Sequence, residues 1–87
     1  LAYGMVWKVH ADDQLMAEAK KTAAYLASMP TQAYALIKQL FSASANNSFA
    51  EQLEAEGAAQ SRAMKTADHV EGVTAFLQKR PAQFKGE

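Results

Sequence analysis

Nineteen of the 87 residues are alanine, spread along the whole chain. Alanine favours helix more than any other residue and lets helices approach one another closely. It adds little apolar area to a core. A chain of this length buries only about 60% of its unfolded surface even with an ordinary composition. The sequence therefore reads as helical, thin-cored, and reliant on a partner or on the rest of a larger protein.

The apolar spacing predicts four helices. In the first, Asp12 or Asp13 supplies the cap, Leu15, Ala19, Ala23 and Leu26 form the buried stripe, and the helix stops before Pro30. The second starts near Thr31, carries Ala33, Leu36 or Ile37, and Leu40 on its apolar face, and fades in the polar run 42–47. The third opens with Ser48-Phe49-Ala50-Glu51, a capping-box pattern, and continues through Phe49, Leu53, Ala59 or Gln60, and Met64. The fourth starts at Asp68. Short connections favour neighbouring helices that pack together. The fold class predicted is all-α: a small bundle of four helices behind a short extended segment over residues 1–10. In that segment Met5, Val6, Trp7 and Val9 form a β-favouring run, yet no partner strand follows. A lone strand leaves its backbone groups unsatisfied. Together with the missing initiator methionine, this suits a sequence that continues from a longer one.

The last twenty residues are the most informative. Asp68 and Glu71 have the spacing of a second capping box, in which each side chain serves the other's backbone amide. Val73, Phe76 and Leu77 share one face and are expected to be buried. Lys79 and Arg80 fall in the expected last turn, where cations suit the negative end of the helix dipole. Pro81 stops the helix, because the residue before a proline is pushed out of the α region. Gly72, inside the helix, costs about 1 kcal/mol relative to alanine. A close backbone contact is one reason for a glycine there.

Composition excludes several classes. Nine basic and nine acidic residues balance to zero, without the basic stripe of a nucleic-acid partner. With no cysteine there is neither a disulfide framework nor a thiolate metal site, which suits a cytoplasmic protein. No apolar run reaches the length of a membrane span, and no signal peptide opens the chain.

The closing order of an acidic residue, Glu71-Gly72, Ala75-Phe76, Lys79-Arg80, Pro81, Phe84 and Gly86 resembles the C-terminal signature of the crotonase superfamily, the enoyl-CoA hydratases and isomerases. The likeness runs through the chain in order. Tyr3 to Val9 resembles the family's Gly-Leu-Val strand, and Ala11 to Leu15 the helix start that follows. Leu26 to Pro30 with Ala33 and Lys38, and then Leu53 to Glu56 with Gln60, resemble the helices after it. The wording around Trp7 and the Phe84-Lys85-Gly86 end resembles the phenylacetate-degradation isomerase branch.

The resemblance implies a C-terminal helical region, residues 1–87, that serves oligomerisation and closes the CoA site. It implies a parent enzyme in which two upstream backbone amides form an oxyanion hole for a thioester enolate. The acid/base residues also lie upstream, so no catalytic residue is expected in this chain. No cofactor is implied; a coenzyme A thioester is the parent's substrate. The expected partners are acyl-CoA and further copies of the chain, as a trimer or hexamer in the parent, with neither nucleic acid nor membrane.

By the same resemblance, Lys79 and Phe76 reach the CoA of a neighbouring subunit, the lysine near the 3′-phosphate and the aromatic beside the adenine. An ammonium is a good point-charge partner for phosphate. On pattern alone, Lys79 merely offsets the helix dipole and Phe76 is core. Arg80 reads as a solvated or interface ion pair. His10 and His69 lack a nearby acid or nucleophile and read as surface residues. Glu51, Glu54 and Glu56 form no catalytic carboxylate pair, and Glu18 with Lys21 or Thr22 is an ordinary helix pairing. Met16, Met29 and Met64 read as gap-filling core. No metal ligand set is present. Two other classes fit the length: a stand-alone four-helix acyl-CoA carrier, and a purely structural helical interaction domain.

Overall fold

The computed structural model describes all of residues 1–87. It is all-α, with α1 over Asp12–Ala27, α2 over Thr31–Ser44, α3 over Phe49–Ala63 and α4 over Ala67–Leu77. No strand forms. Residues 1–10 hold only a turn in which the Gly4 amide donates to the Leu1 carbonyl at 2.9 Å, with Gly4 at φ 70°. The β-favouring run from Met5 to Val9 remains irregular, as expected of a segment with no strand to pair with.

The helix starts follow local chemistry. Ser48 caps α3 as expected: its hydroxyl accepts from the Glu51 amide, and the Glu51 carboxylate accepts from the Ser48 amide at 2.7 Å. The Ser48 bonds hold the Glu51 carboxyl below its ordinary range. For α1 the expectation is corrected. Ala11 is the cap residue, with no side-chain bond, and Asp12 and Asp13 lie inside the first turn. There they favour the positive end of the helix dipole instead.

The capping expectation for α4 is corrected too. Thr66 is the cap residue, and its hydroxyl accepts from the His69 amide at 3.1 Å. Because Thr66 starts the helix, Asp68 and Glu71 are left free to bind something else.

The helices are arranged openly. The radius of gyration is 16.4 Å, against about 12 Å for a compact chain of this length. The accessible surface is 7332 Å², against roughly 5,000 Å² for a compact protein of this mass. Helices α2 and α3 form the one extensive helix pair. Leu36, Leu40 and Ala43 face Ala55 and Ala59 across the seam. Alanine on the α3 side lets the two backbones come close. Gln52 fastens the turn between them, accepting from Asn47 Nδ2 at 3.0 Å and donating to the Leu40 carbonyl at 3.5 Å.

Only Leu36, Asp68 and Ala75 are buried. The stripe expected on α1 is exposed along its length, as are Met16 and Met64, so these two methionines fill no core. Val73, Phe76 and Leu77 are exposed as well. The amphipathic pattern is real, but within this chain most of it has nothing to pack against. Glu18 makes no ion pair with Lys21; the single ion pair joins Arg80 to Glu71.

Candidate functional site

The best-organised part of the molecule is α4 with the ten residues after it. Helix α4 ends in a Schellman motif: the Arg80 amide donates to the Ala75 carbonyl at 3.0 Å, and the Lys79 amide donates to the Phe76 carbonyl at 3.2 Å. The residue past the cap must then be left-handed, and Lys79 has φ 53°. Glycine is usual at this position; a side chain there costs about 1–2 kcal/mol. Lys79 therefore lies just beyond the helix rather than in its last turn as expected.

Past Pro81 the tail folds back along α4. The buried Asp68 carboxylate accepts from the Lys85 amide at 2.7 Å and from the Gly86 amide at 2.8 Å. The Asp68 amide donates to the Glu87 carbonyl at 2.9 Å. One turn on, Glu71 accepts from the Gln83 amide at 2.8 Å and from both terminal nitrogens of Arg80, at 2.6 and 2.8 Å. Arg80 thus forms the ion pair expected of it, in the bidentate geometry that makes such bonds strong. The Arg80 bonds and then the Gln83 amide bring the Glu71 carboxyl down to about 2, and the same bonds raise Arg80.

Gly86 completes the clamp. It has φ 78°, and a Cβ built on it would lie 2.6 Å from Thr31 Oγ1, at the start of α2. Gln32 donates to the Gly86 carbonyl at 3.1 Å. Phe84 lies over Gly72, whose built Cβ would meet the ring at 3.5 Å, an ordinary contact distance. The close backbone contact expected at Gly72 is therefore absent, and a side chain as small as alanine's fits there.

An open groove of about 410 Å³ runs between α4, the tail and the start of α2, lined chiefly by apolar side chains. Gly72, Val73, Phe76, Leu77 and Phe84 form one wall, and Pro30 and Ala33 contribute from the other side. Phe76 lines the groove and is 82% exposed; Lys79, whose amide bonds the Phe76 carbonyl, is not part of the lining and is exposed too. His69 also lines the groove, whereas His10 does not. Glu54 is exposed, and Glu56 accepts from Gln52 at 3.2 Å. Nowhere do three or more acidic or histidine side chains converge as a metal site would need.

The model of the enoyl-CoA hydratase/isomerase family matches residues 1–87.

The chain belongs to the enoyl-CoA hydratase/isomerase family.

Among its relatives, the 1,2-epoxyphenylacetyl-CoA isomerase of Escherichia coli is 41% identical over 85 residues, covering 98% of this chain and 32% of that protein. A probable enoyl-CoA hydratase of Rhodobacter capsulatus is 37% identical over 83 residues, covering 95% of this chain and 32% of the relative. The chain thus spans about a third of the length of the curated relatives it matches. The closing pattern by which the sequence resembled this enoyl-CoA hydratase/isomerase family has a structural meaning. Its acidic residues receive the tail, its Arg-Pro turns the chain, and its Phe and Gly seat the tail on α4 and α2. The spacing of Asp68 and Glu71 imitates a cap, which hides this role in the sequence. The available signal was Thr66, a better cap two residues earlier.

Proposed function

We propose that this chain is the C-terminal helical region of an enoyl-CoA hydratase/isomerase that processes acyl-CoA thioesters through a stabilised enolate. The region serves oligomer assembly, as a trimer or hexamer in the parent, and closure of the CoA site. It carries no catalytic residue of its own. The observation that carries this reading is the mismatch between family membership and burial. A chain belonging to an enzyme family leaves Phe41 76%, Phe76 82% and Leu77 74% exposed. Apolar faces of this extent mark contact surfaces rather than a finished fold.

Lys79 and Phe76 contact the CoA bound by a neighbouring subunit, the lysine at the 3′-phosphate and the ring beside the adenine. Their shared, exposed position at the end of α4 supports this role. So does Lys79 itself: a lysine standing where glycine is the lower-energy choice has a side chain worth keeping. The finer assignment is to the isomerase branch of phenylacetate degradation, supported by the 41% identity to the epoxyphenylacetyl-CoA isomerase.

The test has two arms. The isolated chain should show no turnover of crotonyl-CoA and should self-associate in sedimentation at high concentration. Conversion by pure material overturns the assignment of the chemistry to other polypeptide. A clean monomer that binds acyl-CoA at micromolar concentration overturns the assembly role in favour of a stand-alone carrier.

A further inference from the structure

Lys79 is the only non-glycine residue with positive φ. Such a backbone persists only where its surroundings over-determine it. Here the determinants converge on its neighbour. Arg80 is held through its amide to the Ala75 carbonyl, through both terminal nitrogens to Glu71, through Nη1 to the Pro81 carbonyl at 3.1 Å, and through Nε to Gln78 Oε1 at 2.7 Å. Gln78 and Arg80 flank Lys79, so the bond between them closes a side-chain bridge across it. Glu71 anchors that bridge to the body of α4 and ties in the tail through Gln83. Lys79 itself takes no part in any side-chain hydrogen bond or ion pair. Its backbone is fixed while its ammonium is left for another partner.

We propose that Glu71 is a positioning residue for Lys79, acting through the Arg80–Gln78 bridge to hold the lysine where it meets the 3′-phosphate of coenzyme A. The inference rests on the reading of Lys79 as a phosphate partner. Its physical basis is preorganisation. A lysine on a mobile backbone must lose both chain and side-chain freedom on binding, whereas one on a fixed backbone loses only the latter. Glu71 never touches the ligand, so its effect must travel through Lys79 and vanish when Lys79 is gone.

The experiment measures binding of coenzyme A and of 3′-dephospho-CoA to the full-length protein and its variants. Lys79→Gly should weaken coenzyme A about tenfold and leave the dephospho form unchanged. Glu71→Gln should weaken coenzyme A by about threefold to tenfold, again without affecting the dephospho form, and should add nothing in a Lys79→Gly background. Gln78 is exposed and outside the tail clamp, so Gln78→Ala breaks the bridge even if Glu71→Gln disturbs folding; it should show the same selective loss. If Lys79→Gly leaves coenzyme A binding intact, the phosphate reading fails and takes the inference with it. If Lys79→Gly gives the selective loss but Glu71→Gln and Gln78→Ala do not, the positioning role alone fails. Equal weakening of both ligands, or additivity with Lys79→Gly, likewise overturns it, since either marks a general structural effect.

Discussion

Helices α1 and α4 are opposites. The first is the longer, 16 residues against 11, and carries a regular apolar stripe. Yet it buries nothing, has no side-chain cap, and forms no extensive pair with another helix. The shorter α4 buries Asp68 and Ala75 and is tied to the tail and, through Gly86, to α2. Length and apolar periodicity therefore do not decide which helix is organised in this chain. Polar groups that return the chain onto a helix do. In α4 two carboxylates collect three tail amides and a guanidinium; α1 has only its stripe, and a stripe needs a second surface.

The sharpest way to break this contrast is to remove the carboxylate at its centre. Asp68→Ala strands the Lys85 and Gly86 amides, and loss of bonds to a buried charged acceptor costs about 2–4 kcal/mol. Hydrogen exchange at those two amides should rise to the level of an unstructured peptide. Protection that survives would mean the tail is held by something other than Asp68.

Gly86→Ala attacks the other end of the clamp. It imposes a side chain at φ 78° and a 2.6 Å approach to Thr31, so about 1–2 kcal/mol should be lost from the tail's docking. Unchanged thermal unfolding would show that Thr31 and the backbone relax freely.

Acid tests the Glu71 arm. Its carboxyl lies at about 2 rather than the ordinary 4.5. A depressed folded pKa stabilises above the unfolded value and loses that stabilisation as pH falls through the folded one. The Glu71 contribution should be complete above pH 4.5 and disappear toward pH 2. The Gln83 amide shift, followed by NMR, reports this directly; a midpoint near 4.5 would show that the Arg80 pair is not formed.

Gly72→Ala sharpens the contrast from the opposite side. Its new methyl would sit 3.5 Å from Phe84 in open contact, and the helix interior gains about 0.5–1 kcal/mol from alanine. Thermal unfolding should therefore rise slightly where Gly86→Ala lowers it. The smallest effect belongs to α1. Leu15 is 54% exposed, so Leu15→Ala should change the stability of the isolated chain by less than about 0.5 kcal/mol. A larger loss in chemical denaturation would mean that α1 has found a surface to cover.

Much of this was legible in the residues alone. The four helices, the Ser48–Glu51 box and the stop before Pro30 are local matters, set by groups a few residues apart. The roles of Asp68, Glu71 and Phe84 were not legible. Their partners lie 9 to 18 residues away along the chain in the case of the two carboxylates, and the Asp68–Glu71 spacing imitates a cap. The burial expected for Leu15, Met16, Val73, Phe76 and Leu77 also failed, because periodicity tells which side of a helix is apolar and not whether anything lies opposite.

The amino-acid order by itself fixed the helical class and where each helix begins to within a residue or two, since backbone propensity and capping side chains act over a single turn. The end of α4 was less legible, because the helix stops at Leu77 rather than running on to the proline. Only the tertiary structure decided that the tail closes onto α4, that Lys79 is left-handed, and that most apolar faces stay open. Those outcomes depend on which carboxylate meets which distant amide, and on how much surface a chain with so many alanines is able to cover.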